Sequence, residues 1–301
     1  MRYIKPALSF EQQAQRLLER GLIADKQVLI DKLSAVNYYR LSAYWYNFKT
    51  TDPNGIEGFV DGTSFELIWN RYSFDQELRR LVMDALERIE VAILRTRLVE
   101  QFTLAHGPFG YIDYSNFNPR FPSNSHVRFL AELEEAVNRS NEEFIERFHG
   151  KYTSEPHMPL WMAAEILTFG QLFTLFRNLD RKDLQGIARQ FKLFPPVMVS
   201  WIHTLLFIRN TCAHHARLWN REISISPQIP DKKHNPEWHS PVQFDNSRIF
   251  AVLTILRYLL KFIEPNYNFR LRLENLLQNY PDVPLIAMGF PVNWKDSPIW
   301  R

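Results

Sequence analysis

Apolar residues recur along this chain at spacings of three and four rather than two, and that period predicts helices. Ser9 followed by Gln12 has the form of a capping box opening a short helix that Gly21 closes, with Ala14, Leu17 and Leu18 on its inner face. A second helix is expected from about Asp25 to Val36. In NYYRLSAYWYNF, Tyr38, Leu41, Trp45 and Phe48 fall at spacings of 3, 4 and 3, so this aromatic segment is read as helical too. Asp52-Pro53-Asn54-Gly55 then supplies a strong turn. Thr63 with Glu66 forms another capping box, and Leu78, Leu81, Val82, Ala85, Ile89, Ala92 and Ile93 keep helical spacing in what should be the longest helix, ending near Gln101. Its other face, with Arg79, Arg80, Asp84, Glu87, Arg88, Arg95 and Arg97, reads as a solvated or ion-paired surface.

Residues 106–125 are turn-rich, and helical pattern resumes through FLAELEEAV and FIERF. Trp161 to Leu179 reads as one apolar helix, Asp180 as the cap of the next, and Pro195 and Pro196 as the first turn of a third. A Pro-containing loop covers 222–245; Phe250 to Ile263 is apolar nearly all round, and Pro265 stops it. With no alternating run bounded by hairpin turns and no internal repeat, the expected fold class is all-α, with roughly ten helices. A helical extension over residues 1–60 is expected to pack on a main domain of residues 61–301.

Composition narrows the function classes. With 46% apolar and 23% charged residues the chain is an ordinary globular protein rather than a disordered one. Its ten glycines form no phosphate-cradling loop, which disfavours the nucleotide folds built on them. The single Cys212 excludes an internal disulfide and fits a reducing, cytoplasmic compartment; no cofactor or metal is expected. The start, MRYIKPALSFEQQ, lacks the apolar core of a signal peptide, and no stretch reaches about 18 apolar residues without a charge, so no membrane association is expected. A net charge of +3 permits an anionic partner without demanding one.

The run PPVMVSWIHTLLFI leads into RNTCAHHARLWNR over 209–221, a concentration of polar groups at the end of an apolar helix. At about 100° per residue, His203, Phe207, Asn210 and His214 share a stripe, whereas Arg209 lies about 140° from His214. A self-complementary dimer with this helix near its two-fold axis would bring both copies of Arg209, Asn210 and His214 to one cleft. Two imidazoles per site suit RNA cleavage, which needs a base for the 2′-hydroxyl proton and an acid for the leaving 5′-oxygen; Arg209 would stabilise the phosphorane and Asn210 orient or donate. The same three residues could simply cap the helix and offset its dipole. A metal site fits poorly, since His214 and His215 point about 100° apart and His203 stands roughly 16 Å up the axis. Cys212 reads as a packing residue and His203 as a satisfied core histidine.

Five blocks in order give the chain a resemblance to a known family: SAVNYYRLSAYWYNF (34–48), RIEVAILRTRL (88–98), PLWMAAEILTFGQLFTLF (159–176), IRNTCAHHARLWNR (208–221) and MGFPVNWKDSPIW (288–300). It resembles the Abi-like abortive-infection proteins of the AbiD/AbiF type, within the HEPN superfamily. The resemblance implies a HEPN-like helical bundle, a homodimer and metal-independent endoribonuclease activity leaving 2′,3′-cyclic phosphates. It places the catalytic roles on Arg209, Asn210 and His214, which match R-N-x-x-x-H. It also implies antiphage defence through RNA damage, a toxin role, and in some relatives a dedicated small non-coding RNA. Where some HEPN toxins carry a tyrosine two places after the histidine this chain has Ala216, which argues against control by nucleotide addition there.

An RNA partner would need cations and stacking faces. Arg177, Arg181, Lys182, Arg189 and Lys192 precede the motif, Arg217 and Arg221 follow it, and Tyr38, Tyr39, Arg40, Tyr44 and Trp45 mix rings with charge. The other reading of these residues is a helical core stripe with scattered surface charges. The corresponding alternative function is a non-catalytic RNA-binding assembly, associated with a non-coding RNA, in which the motif is structural or binds the RNA backbone.

Overall fold

The computed structural model describes residues 2, 6–53, 55, 57–243 and 245–301. The reading of the first residues as lacking a leader therefore falls partly outside the described residues. The chain divides into two compact units, one of residues 1–79 and 273–284, the other of residues 80–272 and 285–301.

In the first unit, α1 (Phe10–Glu19) opens on the Ser9–Gln12 capping box with both of its hydrogen bonds present, and Gly21 follows it at φ +87°. Ala14 and Leu17 are buried, and α2 (Lys26–Ala35), capped by Asp25, packs alongside. The aromatic segment is α3 (Tyr38–Trp45), continued by a 3₁₀ turn to Phe48. Strands β1 (Lys49–Thr51) and β2 (Glu57–Phe59) pair antiparallel, and the turn between them is closed by Gly55 N–H donating to the Asp52 carbonyl at 3.0 Å. Asn54 of that turn lies outside the described residues. This hairpin corrects the expectation of no strand pair, because three-residue strands are too short for alternation to register.

α4 (Phe65–Ile89) begins one residue later than its expected cap implies. Ser64 Oγ accepts from Leu67 N–H at 3.3 Å, while the Thr63 hydroxyl donates to the Val60 carbonyl at 2.6 Å. Arg79, expected on a solvated or ion-paired surface, is ion-paired but buried: its guanidinium donates to Asp75 one turn back, and Asp75 accepts from the Tyr44 hydroxyl at 2.5 Å. Burial first, and then the Asp75 charge, hold the Tyr44 hydroxyl well above the usual tyrosine range.

In the second unit the same helix runs on as a π-helical segment, Glu90–Arg97, and then as α5 (Leu98–His106), past the Gln101 end expected for it. α6 (Ser123–Arg139) and α7 (Glu143–Lys151) follow. The single helix expected from Trp161 to Leu179 is two, α8 (Leu160–Ile166) and α9 (Phe169–Asn178). Thr168 and Gln171 form a capping box at the start of α9, and Arg95 of the π segment donates to the carbonyls of Leu167, at 3.0 Å, and Ala164. An apolar pattern reads through such a break because Leu167 within it is buried, as are Ala164 before it and Phe169 after it.

Asp180 caps α10 (Arg181–Gln190), accepting from Asp183 N–H at 2.8 Å. Pro195 and Pro196 open α11 (Pro195–Ala213), and α12 (Ile249–Ile263) is buried on most of its circumference. α13 (Phe269–Asn279) leads from the second unit back into the first. The C-terminal segment closes over α12: Phe290, Trp294 and Trp300 surround Phe250, and the Trp300 indole donates to Thr254 Oγ1 at 3.1 Å. Among the described residues no single helix is long and apolar enough to cross a membrane; α10 and α11 would qualify only as a pair bent by 76°.

Candidate functional site

α11 presents three surfaces to its surroundings. Trp201, Thr204 and Ser200 bind the 222–245 loop, donating from the indole to Gln228 O at 2.8 Å, from the hydroxyl to Ile225 O at 2.9 Å, and accepting at Ser200 Oγ from Gln228 N–H at 2.9 Å. Met198, Ile202, Leu205, Ile208 and Cys212 are buried, so Cys212 is a packing residue as expected. The open side of the helix includes a stripe of His203 and Asn210, both exposed, with Phe207 half-buried between them. His203 is therefore not the core histidine the sequence implied. Its ring lies on Phe173 of α9, 5.1 Å between centroids and 13° from parallel.

Main-chain hydrogen bonds close the C-terminus of α11. His214 N–H donates to Asn210 O at 3.0 Å, His215 N–H to Cys212 O at 2.9 Å and Ala216 N–H to Thr211 O at 3.0 Å. The last two bonds, with His215 at φ +55°, make a Schellman cap whose left-handed position is filled by histidine instead of glycine. Because the backbone satisfies these carbonyls itself, capping needs no side chain from Arg209, Asn210 or His214.

His214 is the cap residue, at φ −84° and ψ 10°, and is exposed, as is Asn210; Arg209 is half-buried. The ideal-helix rotation that separates Arg209 from His214 stops applying at such a cap. Arg209 is joined to the group through Asn210, whose Oδ1 accepts from Arg209 Nη1 at 3.3 Å. The helix end thus displays a guanidinium, a carboxamide and an imidazole to solvent, with its negative dipole end already occupied by N–H groups.

The other sequence candidates separate. Arg177, exposed at the end of α9, places its guanidinium 5.7 Å from the Phe173 ring, and half-buried Arg221 places its own 6.0 Å from Phe207. Both therefore flank the open stripe of α11. Arg217, half-buried, supplies the carbonyl that accepts from Arg221 Nε at 2.8 Å. Arg181 and Lys182 are exposed in the first turn of α10, and Arg189 and Lys192 are exposed at and just past its far end.

Tyr38, Tyr39 and Arg40 belong to the first unit. Tyr38 packs edge-on against buried Trp45 at 5.0 Å, so it is a core-edge residue, and Tyr44 and Trp45 are core. Tyr39 is 86% exposed and Arg40 is exposed beside it. Sequence reasoning missed Phe173 and misplaced His203. The available signal was a lone imidazole inside an apolar run, on the stripe that already held Asn210 and His214. Among the described residues no group of three or more His, Cys, Asp or Glu side chains could hold a metal ion.

Residues 31–220 match the Abi-like protein family, and the chain belongs to it. The matched span ends just past the Schellman turn, so it includes α11 and its polar end. No curated protein and no solved structure matches the chain.

Proposed function

We propose that this Abi-like protein is an antiphage, metal-independent endoribonuclease whose active cleft is assembled from the α11 ends of two identical chains. The observation that carries the reading is the helix end itself: main-chain hydrogen bonds complete the cap, and Asn210 and His214 stand in solvent with Arg209 bonded to Asn210. Family membership supports it by linking the chain to abortive infection.

In this mechanism one His214 imidazole takes the proton of a ribose 2′-hydroxyl, and the 2′-oxygen attacks the adjacent phosphorus. The P–O5′ bond breaks, the partner copy's imidazole delivers a proton to the leaving oxygen, and a 2′,3′-cyclic phosphate remains. Arg209 neutralises charge on the pentacoordinate phosphorane, where a planar cation matches two oxygens at once. Asn210 holds Arg209 and donates from its amide to the same phosphate. One imidazole per chain cannot serve as base and acid simultaneously, which is why two copies are required.

The second reading is an RNA-associated assembly without catalysis, holding a dedicated small non-coding RNA; the cations that flank α11, exposed Arg177 and half-buried Arg221, favour it, since they would serve retention as well as turnover. Comparing His214→Ala with the parent protein for both cleavage and retention of RNA separates them. Loss of cleavage with retention intact supports the nuclease. Loss of retention alone supports the binding assembly, and no change in either makes the motif structural. The remaining expectations, a cytoplasmic location and infection-triggered toxicity, belong to this proposal.

A further inference from the structure

The stripe on α11 continues well beyond the three motif residues, and nothing in the proposed chemistry uses its upper part. His203 is exposed, yet its ring is held by near-parallel stacking on Phe173, which is itself buried and has the Arg177 guanidinium over its ring at 5.7 Å from the centroid. One face of the imidazole is thereby occupied, while the residue as a whole remains exposed to solvent. Neither α9 nor α11 contains an acidic residue, so the cations along this face are not opposed from either helix. Seven residues separate His203 from Asn210, about 10 Å along the axis, and they lie within about 20° of one another around it. That distance is the length of about three stacked nucleotides at about 3.4 Å each.

The geometry points to a subsite for single-stranded RNA in which a base stacks on the outer face of His203 and Arg177 contacts the backbone, about three nucleotides from the phosphate held by Arg209 and Asn210. Pre-stacking on Phe173 removes the rotamer freedom that an exposed histidine would otherwise lose on binding. Sequence tolerance follows, because every base offers a flat face. The inference rests on the nuclease reading for the identity of the ligand, but its residues act in binding and positioning rather than in chemistry.

The test uses full-length protein with cleavage blocked by His214→Ala and a fluorescently labelled 12-nucleotide single-stranded RNA of mixed sequence, followed by anisotropy. Adding His203→Ala should weaken binding by about five- to a hundredfold, the range of one base–aromatic stack, and His203→Phe should restore it. In the cleavage-competent protein, His203→Ala should raise KM far more than it lowers kcat. Unchanged affinity in both His203→Ala and Arg177→Ala overturns the subsite while leaving the nuclease reading standing. Equal weakening by His203→Ala and His203→Phe overturns the stacking role. If the parent protein neither binds nor cleaves the RNA, the nuclease reading fails and the subsite with it. Unchanged circular dichroism melts establish that these surface variants fold.

Discussion

Glu90 and Arg95 stand five residues apart on one helix and meet at 2.5 Å, because the helix between them is wound with the i→i+5 period of a π segment. The same Arg95 binds the carbonyls of Ala164 and Leu167 at the break between α8 and α9. Both ion-pair side chains are largely shielded from solvent, at 18% and 14% exposure. Arg95→Ala would leave a shielded carboxylate and two carbonyls without this donor, and should cost about 3 kcal/mol. A fall in the urea midpoint without a change in m-value is the expected result; an unchanged midpoint would mean that Arg95 does not hold the break.

The Tyr44–Asp75–Arg79 group should be the most sensitive polar site of the first unit. Asp75→Ala removes the carboxylate facing a buried guanidinium and is expected to destabilise by about 3–5 kcal/mol. Tyr44→Phe removes one hydrogen bond to a charged group and should cost about 1.5–3 kcal/mol. Chemical denaturation of the two variants gives the comparison, and Asp75→Ala should be the worse of the pair.

Asp84 predicts part of the acid sensitivity. Burial pushes its carboxyl up, but hydrogen bonds from Tyr267 and Arg272, with the charges of Arg272 and Arg88, outweigh that and leave it lowered overall. A carboxylate lowered in the folded state stabilises fully above its unfolded value, near pH 4, and loses that contribution as pH falls through the folded value. Asp84→Asn should therefore reduce stability at pH 7 and flatten the decline below pH 4, measured by thermal melts across pH 2–7.

Gly289 sits at φ +84°, and a Cβ there would stand 2.5 Å from Arg248 Cβ. Gly289→Ala should cost more than about 1 kcal/mol, since both backbone conformation and space oppose it. Differential scanning calorimetry would record this as a lowered Tm.

Much of this architecture was legible in the residue pattern. The Ser9–Gln12 box, the Asp25 and Asp180 caps and the Pro195–Pro196 start announce helix ends through side chains that bond their own backbone, a local signal. What stayed hidden depends on distant partners. Thr63 and Ser64 are both competent caps, and only the Val60 carbonyl decides which one serves. The π segment, the α8–α9 break and the burial of Arg79 follow from tertiary contacts that periodicity does not encode. At the candidate site the residue types were readable, but the main-chain cap was not, because a histidine in the left-handed position does not announce itself as a glycine would.

The chemistry of the RNA ends tests the central claim most directly. Incubated with RNA in excess chelator, the protein should yield fragments carrying 2′,3′-cyclic phosphates, and His214→Ala should yield none while still retaining RNA. Fragments ending in 3′-hydroxyls, cleavage abolished by the chelator, or undiminished cutting by His214→Ala would contradict it.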